Sequence, residues 1–212
     1  KTWKPENYGK KFYGPSTLRV GIEKSRNLMT VRVAQKVGHE KISKIVNNLE
    51  IYDDIPELLS VALGSAETTL VQLTNAYCTF ANGGKKVNPI FIDRIQDRRG
   101  KTIFNADKRK CIGCEKISYL KEEIPTIKDG RKQIISTETA YQIVSMMEGV
   151  VKRGTGRKLR SLNLVLGGKT GTTNENMDAW FLGITSKLVV GVYVGFDEPK
   201  TLGKYETGAK AA

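Results

Sequence analysis

Apolar and polar positions divide this chain into a helix-patterned first part and a strand-patterned end. Leu18 and Ile22 lead at helical spacing to Ser25, and Leu28, Val31, Val33 and Val37 continue to Gly38, a residue suited to end a helix. Ser25-Arg26-Asn27 lies between these stretches. Serine and asparagine compete for backbone groups inside helices, so the sequence predicts a break over 25–27, with Asn27 capping the second helix. A short helix is predicted over 40–50. A short apolar run follows at 57–63, after Pro56, a favoured first helical residue. Thr69 and Gln72 have the spacing of a capping box, ahead of Leu70, Leu73, Tyr77, Phe80 and Ala81 on one face, and Asn82-Gly83-Gly84 ends that helix. Apolar stretches at 90–95 and 101–104, separated by Asp97-Arg98-Arg99-Gly100, read as a β-hairpin.

The charged stretch that follows reads as an insertion near 105–133, because so long a loop is unusual inside a domain. Ser136 then opens a strong helix whose Ala140, Ile143, Val144, Met147 and Val151 share one face, and Arg153-Gly154-Thr155-Gly156-Arg157 closes it. Three strands are predicted around 163–169, 179–185 and 188–196. The fold class is therefore α+β, a mainly antiparallel sheet flanked by helices.

Composition changes this picture in three ways. A chain of 212 residues with 39% hydrophobic content can bury one core. The net charge of +13 favours polyanionic surroundings such as nucleic acid, anionic membrane or cell-wall polymer. The basic pairs are scattered through turn-like stretches with no aromatic-interleaved run, so they read as a solvated surface and no nucleic-acid partner is expected. No apolar run approaches the ~18 residues of a membrane span. The opening Lys1-Thr2-Trp3-Lys4-Pro5 reads as a mid-protein start rather than a leader.

Of the three cysteines, Cys78 reads as a small buried hydrophobe within a helix. Cys111-Ile-Gly-Cys114 suits a loop-stapling disulfide if the compartment is oxidising. A zinc site would need two more ligands, and the single histidine, His39, has no local pairing with these cysteines. No metal and no cofactor are expected. Gly154-Thr155-Gly156 resembles a phosphate loop only superficially, since no G-x-x-x-x-G-K-[ST] is present.

The chemistry sits in Lys169-Thr170-Gly171-Thr172-Thr173. On a strand bordering a cleft, the lysine offers positive charge, the threonine hydroxyls donate to a carboxylate, and the glycine lets a substrate lie along the strand edge. Ser25 and Lys169 can pass protons, and Asn27 can hold an amide with donor and acceptor together. Lys-Thr-Gly is one signature of penicillin-binding proteins and β-lactamases, although three common residues alone are weakly specific.

Several ordered blocks make the resemblance specific. Phe12-Tyr13-Gly14-Pro15-Ser16-Thr17-Leu18-Arg19, Glu23-Lys24-Ser25-Arg26-Asn27-Leu28, Ala62-Leu63-Gly64-Ser65-Ala66-Glu67, Gly154-Thr155-Gly156, Gly168 to Asn174, Asp178-Ala179-Trp180-Phe181 and Glu206-Thr207-Gly208-Ala209 resemble the transpeptidase domain of class A penicillin-binding proteins. The resemblance implies a penicillin-binding-protein/serine β-lactamase-like transpeptidase fold. It also implies D,D-transpeptidation of peptidoglycan stem peptides through a serine acyl-enzyme, inhibited by β-lactam antibiotics, at the periplasmic face of the inner membrane. By motif position, Ser25 relays protons, Asn27 holds the acyl-donor amide and Lys169 supports the relay. Thr170 and Thr172 take the carboxylate, Thr172 offers a backbone N–H to the oxyanion, and Gly171 keeps the strand edge open. Thr173 belongs with the substrate-binding set.

One element departs from the family. Its nucleophile lies in an S-x-x-K segment ahead of S-x-N, and residues 1–24 contain none. Ser118-Tyr119-Leu120-Lys121 matches the spacing but falls between the other motifs, in the wrong order. The sequence is therefore expected to be an incomplete, C-terminal portion of the domain, inactive alone, with nucleophile and membrane anchor in a missing N-terminal part. A serine β-lactamase-like hydrolase, or a non-catalytic cell-wall-binding or sensor domain, would carry the same motifs.

Overall fold

The computed structural model describes residues 3–52, 54–114 and 125–212. In chain order the elements are α1 (Leu18–Glu23), α2 (Asn27–Val37), α3 (His39–Asn48), α4 (Leu70–Ala81), β1 (Arg94–Gln96), β2 (Thr102–Asn105), β3 (Cys111–Ile112), β4 (Thr126–Ile127), α5 (Thr137–Arg153), β5 (Gly167–Thr172), β6 (Ala179–Ile184) and β7 (Val189–Val194). Short 3-10 turns lie at Leu59–Leu63, Arg157–Leu162 and Asn174–Asn176. Among the described residues every strand pairing is antiparallel, so the chain is α+β as its pattern predicts. The chain separates into two compact units, Lys1–Val87 with Gln133–Ala212, and Asn88–Lys132.

In the first unit the sheet order is β5-β6-β7. Gly167, Lys169 and Gly171 pair with Ile184, Leu182 and Trp180, so they share one face, while Thr170 and Thr172 share the other with Phe181 and Ala179. Helix α5 packs along β5, and α4 packs along β7 and against α5. The core joins Ala140, Met147, Val150 and Val151 of α5 to Ala179, Phe181, Leu182 and Ile184 of β6 and to Ala76 of α4. Helix α4 can approach β7 because Gly191 has no side chain: a Cβ there would lie 2.0 Å from the Thr74 hydroxyl.

Local chemistry accounts for several helix ends. Thr69 and Gln72 form both halves of the capping box of α4, and Ser136 caps α5 by accepting from the Thr139 N–H at 3.2 Å. Gly38, at φ 87°, separates α2 from α3.

Four expectations change. Arg26, not Asn27, is the cap residue of α2; Asn27 is already helical and makes no capping bond. The 57–63 run forms only the 3-10 turn from Leu59, with Leu58 at its cap, so Pro56 does not open a helix. The first strand begins at Gly167, because the chain turns at Asn163 (φ 55°) and leaves Leu164 and Val165 exposed without a strand partner. Along α4 the buried positions are Ala76 and Thr79, whereas Leu70 and Ala81 lie outside, and Cys78 is only half-buried, with its thiol pKa raised by that burial.

The second unit holds two small antiparallel pairs, β1–β2 and β3–β4. The predicted hairpin is present, and the Asp97 carboxylate closes its turn by accepting from the backbone N–H groups of Arg99 and Lys101. Cys111 and Cys114 are joined in a disulfide. The Ser118–Lys121 match lies outside the described residues.

Candidate active site

Ser25 stands in the turn between α1 and α2 with φ 51°, a left-handed conformation that costs a serine free energy. Two backbone bonds hold the turn, from the Ser25 N–H to the Ile22 carbonyl at 3.2 Å and from the Arg26 N–H to the Gly21 carbonyl at 2.9 Å. The turn aims the hydroxyl at β5. There the Lys169 ammonium donates to the Ser25 Oγ at 2.8 Å and to the Thr170 carbonyl oxygen at 2.7 Å. Burial lowers the Lys169 pKa to about 8, since a desolvated amine resists carrying charge.

Thr170 is buried, and its hydroxyl shares a 2.7 Å hydrogen bond with that of Thr155. The Thr155 N–H donates to the Glu23 carbonyl at 3.2 Å, which ties the loop after α5 to the end of α1 beside Ser25. Three segments distant in sequence thus meet around one serine–lysine pair.

The remaining predicted residues divide. Gly171 lies beside Trp180, where a Cβ would approach the Trp180 Cβ to 3.1 Å. The Thr172 hydroxyl accepts from the Gly208 N–H at 3.1 Å and keeps its own proton available to a ligand. The Thr173 hydroxyl accepts from the Asp178 N–H at 2.8 Å, so it helps close the β5–β6 turn. The Asn27 amide does not join the Ser25–Lys169 pair; it donates to the Glu6 carbonyl at 2.9 Å and fastens the N-terminal segment. Phe181 is buried, while Trp180 is half-buried against Tyr193, ring centroids 4.7 Å apart.

Sequence reasoning gave no role to Glu23, Arg153 or Thr155. The available signal was an acidic residue at a predicted helix end, where the dipole disfavours it. A shallow pocket beside Thr155 is lined by Lys24, Arg157, Lys158 and Lys210, with Thr155 and Thr207 as hydroxyls and no carboxylate. Such a lining attracts anions. Among the described residues, no group of three or more His, Cys, Asp or Glu side chains is placed to hold a metal ion. No helix among them is long and apolar enough to cross a membrane.

Comparison with known proteins shows the family. The family model described as the penicillin binding protein transpeptidase domain matches residues 1–212. Penicillin-binding protein 1A of Rickettsia bellii is 47% identical over 212 residues, covering 98% of this chain and 26% of that protein. Penicillin-binding protein 1A of Pseudomonas aeruginosa is 36% identical, covering 100% of this chain and 30% of that protein. The chain thus spans roughly a quarter of these relatives' length. The crystal structure of penicillin-binding protein 1A from Haemophilus influenzae superposes with a TM-score of 0.83 at 33% identity, over 99% of this chain and 34% of that one. At 21% identity, the PonA1 protein from Mycobacterium tuberculosis in complex with penicillin V shares the fold, with a TM-score of 0.73 over 96% of this chain and 55% of that one.

Proposed function

Because this chain belongs to the penicillin-binding protein transpeptidase domain family, we propose that it serves a D,D-transpeptidase that cross-links peptidoglycan stem peptides through a serine acyl-enzyme and is blocked by β-lactams. The observation that carries the reading is the buried Lys169 amine on the Ser25 hydroxyl. With a pKa of about 8, roughly a tenth of these amines are neutral at pH 7, enough to accept a proton and return it.

In the proposed reaction a serine oxygen attacks the penultimate D-Ala carbonyl, and the terminal D-Ala leaves as its amine takes up a proton. A neighbouring strand's amine then attacks the ester, forms the new amide and restores the serine hydroxyl. Ser25 and Lys169 move the proton between nucleophile and leaving amine. The Thr170 and Thr172 hydroxyls, backed by the cations of Lys24, Arg157, Lys158 and Lys210, receive the terminal carboxylate. The Thr172 N–H donates to the oxyanion, and Asn27 turns from Glu6 to the donor amide when a peptide binds. We assign the acylated serine to an S-x-x-K segment in the remaining length typical of the relatives. The reaction belongs at the extracytoplasmic face of the bacterial inner membrane; the Cys111–Cys114 disulfide suits an oxidising compartment.

The test is covalent labelling by a fluorescent penicillin, read by intact mass, on this chain and on a parent chain extended upstream. Labelling of the extended chain alone, lost in Lys169→Met, is the expected result. Labelling of the 212-residue chain would instead place the nucleophile within it. No labelling of either folded chain would leave the non-catalytic reading.

A further inference from the structure

Glu23 is an acidic residue only 4% exposed, at the last position of α1. Both circumstances are unfavourable. A helix C-terminus repels negative charge, and a buried carboxylate is costly unless paired. Its partner is Arg153, the last residue of α5, whose guanidinium holds both carboxylate oxygens: Nη2 on Oε1, and Nε on Oε2 at 3.2 Å. A two-pronged pair of this kind fixes orientation as well as distance.

The surroundings leave room for this residue, side chain and backbone. A Cβ at Gly149 would lie 1.9 Å from the Glu23 Oε1, and one at Gly154 would lie 2.1 Å from the Glu23 carbonyl oxygen. The two helix ends are joined twice more, by the Lys24 ammonium on the Arg153 carbonyl at 2.5 Å and by the Thr155 N–H on the Glu23 carbonyl at 3.2 Å. Arg19 adds a third tie along the same helices, to the Ser145 carbonyl at 3.0 Å.

Two residues beyond Glu23 stands Ser25 in its left-handed turn. Strain of that kind persists only where the surrounding structure over-determines it. Two residues beyond Arg153 stands Thr155, whose hydroxyl meets Thr170 on the strand that carries Lys169. Both halves of the serine–lysine pair are therefore referenced to the same junction of α1 and α5. We propose that the Glu23–Arg153 pair is a positioning device that holds Ser25 in its strained turn against Lys169. It touches no reacting atom. The inference rests on the acyl-transfer reading of the site given above.

The experiment compares Glu23→Gln, Arg153→Gln, the double variant and Arg153→Lys in the parent chain. Two quantities are read on each: the rate of acylation by fluorescent penicillin, and the titration of Lys169, followed by NMR of ¹³C-methylated amines and assigned with Lys169→Arg. Each Gln variant is expected to slow acylation by about 10- to 100-fold, the usual consequence of displacing a reacting group by roughly an ångström. In each, the Lys169 titration should move up from about 8 as water reaches the amine. The double variant should be no slower than the worse single one, because both changes break one interaction. Arg153→Lys should recover part of the rate. Arg153 is half exposed, so its Gln variant carries the test if Glu23→Gln does not fold. Variants that lose thermal stability yet keep both the acylation rate and the Lys169 titration would overturn the proposal. If the unaltered parent chain is not acylated, the acyl-transfer reading fails, and the Lys169 titration alone then decides whether the pair positions Ser25.

Discussion

At the scale of single residues, burial sets the chemistry of Lys169. Its amine has two hydrogen-bond acceptors and little water, and its pKa falls to about 8 from the ordinary 10.5. The sign for stability follows. Between those two values the unfolded chain binds more protons than the folded one, so this lysine's contribution to stability rises with pH across that window and is at its poorest below pH 8. Urea unfolding of the chain and of Lys169→Met at pH 7.5 and pH 10 should show the difference between them shifting in favour of the lysine at the higher pH; a constant difference would contradict a depressed pKa. Ser25, Lys169, Thr170 and Thr172 could be picked out in the sequence because they stand in motifs in family order, and the structure brings the Lys169 amine onto the Ser25 hydroxyl. Glu23 and Thr155 were not, since an isolated glutamate or threonine acquires its meaning only from the arginine or the second threonine it meets in space.

At the scale of elements, capping chemistry placed α4 and α5 closely, while apolar runs misled at β5. The Thr69–Gln72 box satisfies backbone groups that would otherwise be unpaired at the start of α4. Thr69→Ala should therefore lower stability by about 1 kcal/mol, measured by urea unfolding, without altering the far-UV signature of the fold. The apolar stretch Leu164–Leu166 looked like a strand, as part of the predicted 163–169 run. It is not one, because strand identity depends on a partner and β6 pairs only from Gly167 onward. Asn27 teaches the same lesson at a helix start: a good capping residue one position inside a helix finds a different bond, here to the Glu6 carbonyl.

At the scale of the whole molecule, the two compact units rest on different physics. The first buries a core between α4, α5 and the sheet, whereas the strands β1 and β2 of the second are exposed and depend on backbone pairing and turn chemistry. The disulfide in the second unit closes a very short loop, so Cys111→Ser with Cys114→Ser should cost that unit about 2 kcal/mol. Hydrogen exchange should show faster opening confined to 88–132; equal loss of protection in α5 would mean that the units share one cooperative transition. By itself the sequence determined the α+β class, the long helices, the hairpin and the residue types of the site, because periodicity, capping and turn chemistry are local. Tertiary structure alone decided where β5 begins, that Asn27 fastens to Glu6, and that Glu23 pairs with Arg153 at the junction of α1 and α5, because partner strands, burial and charge pairing exist only once distant segments meet.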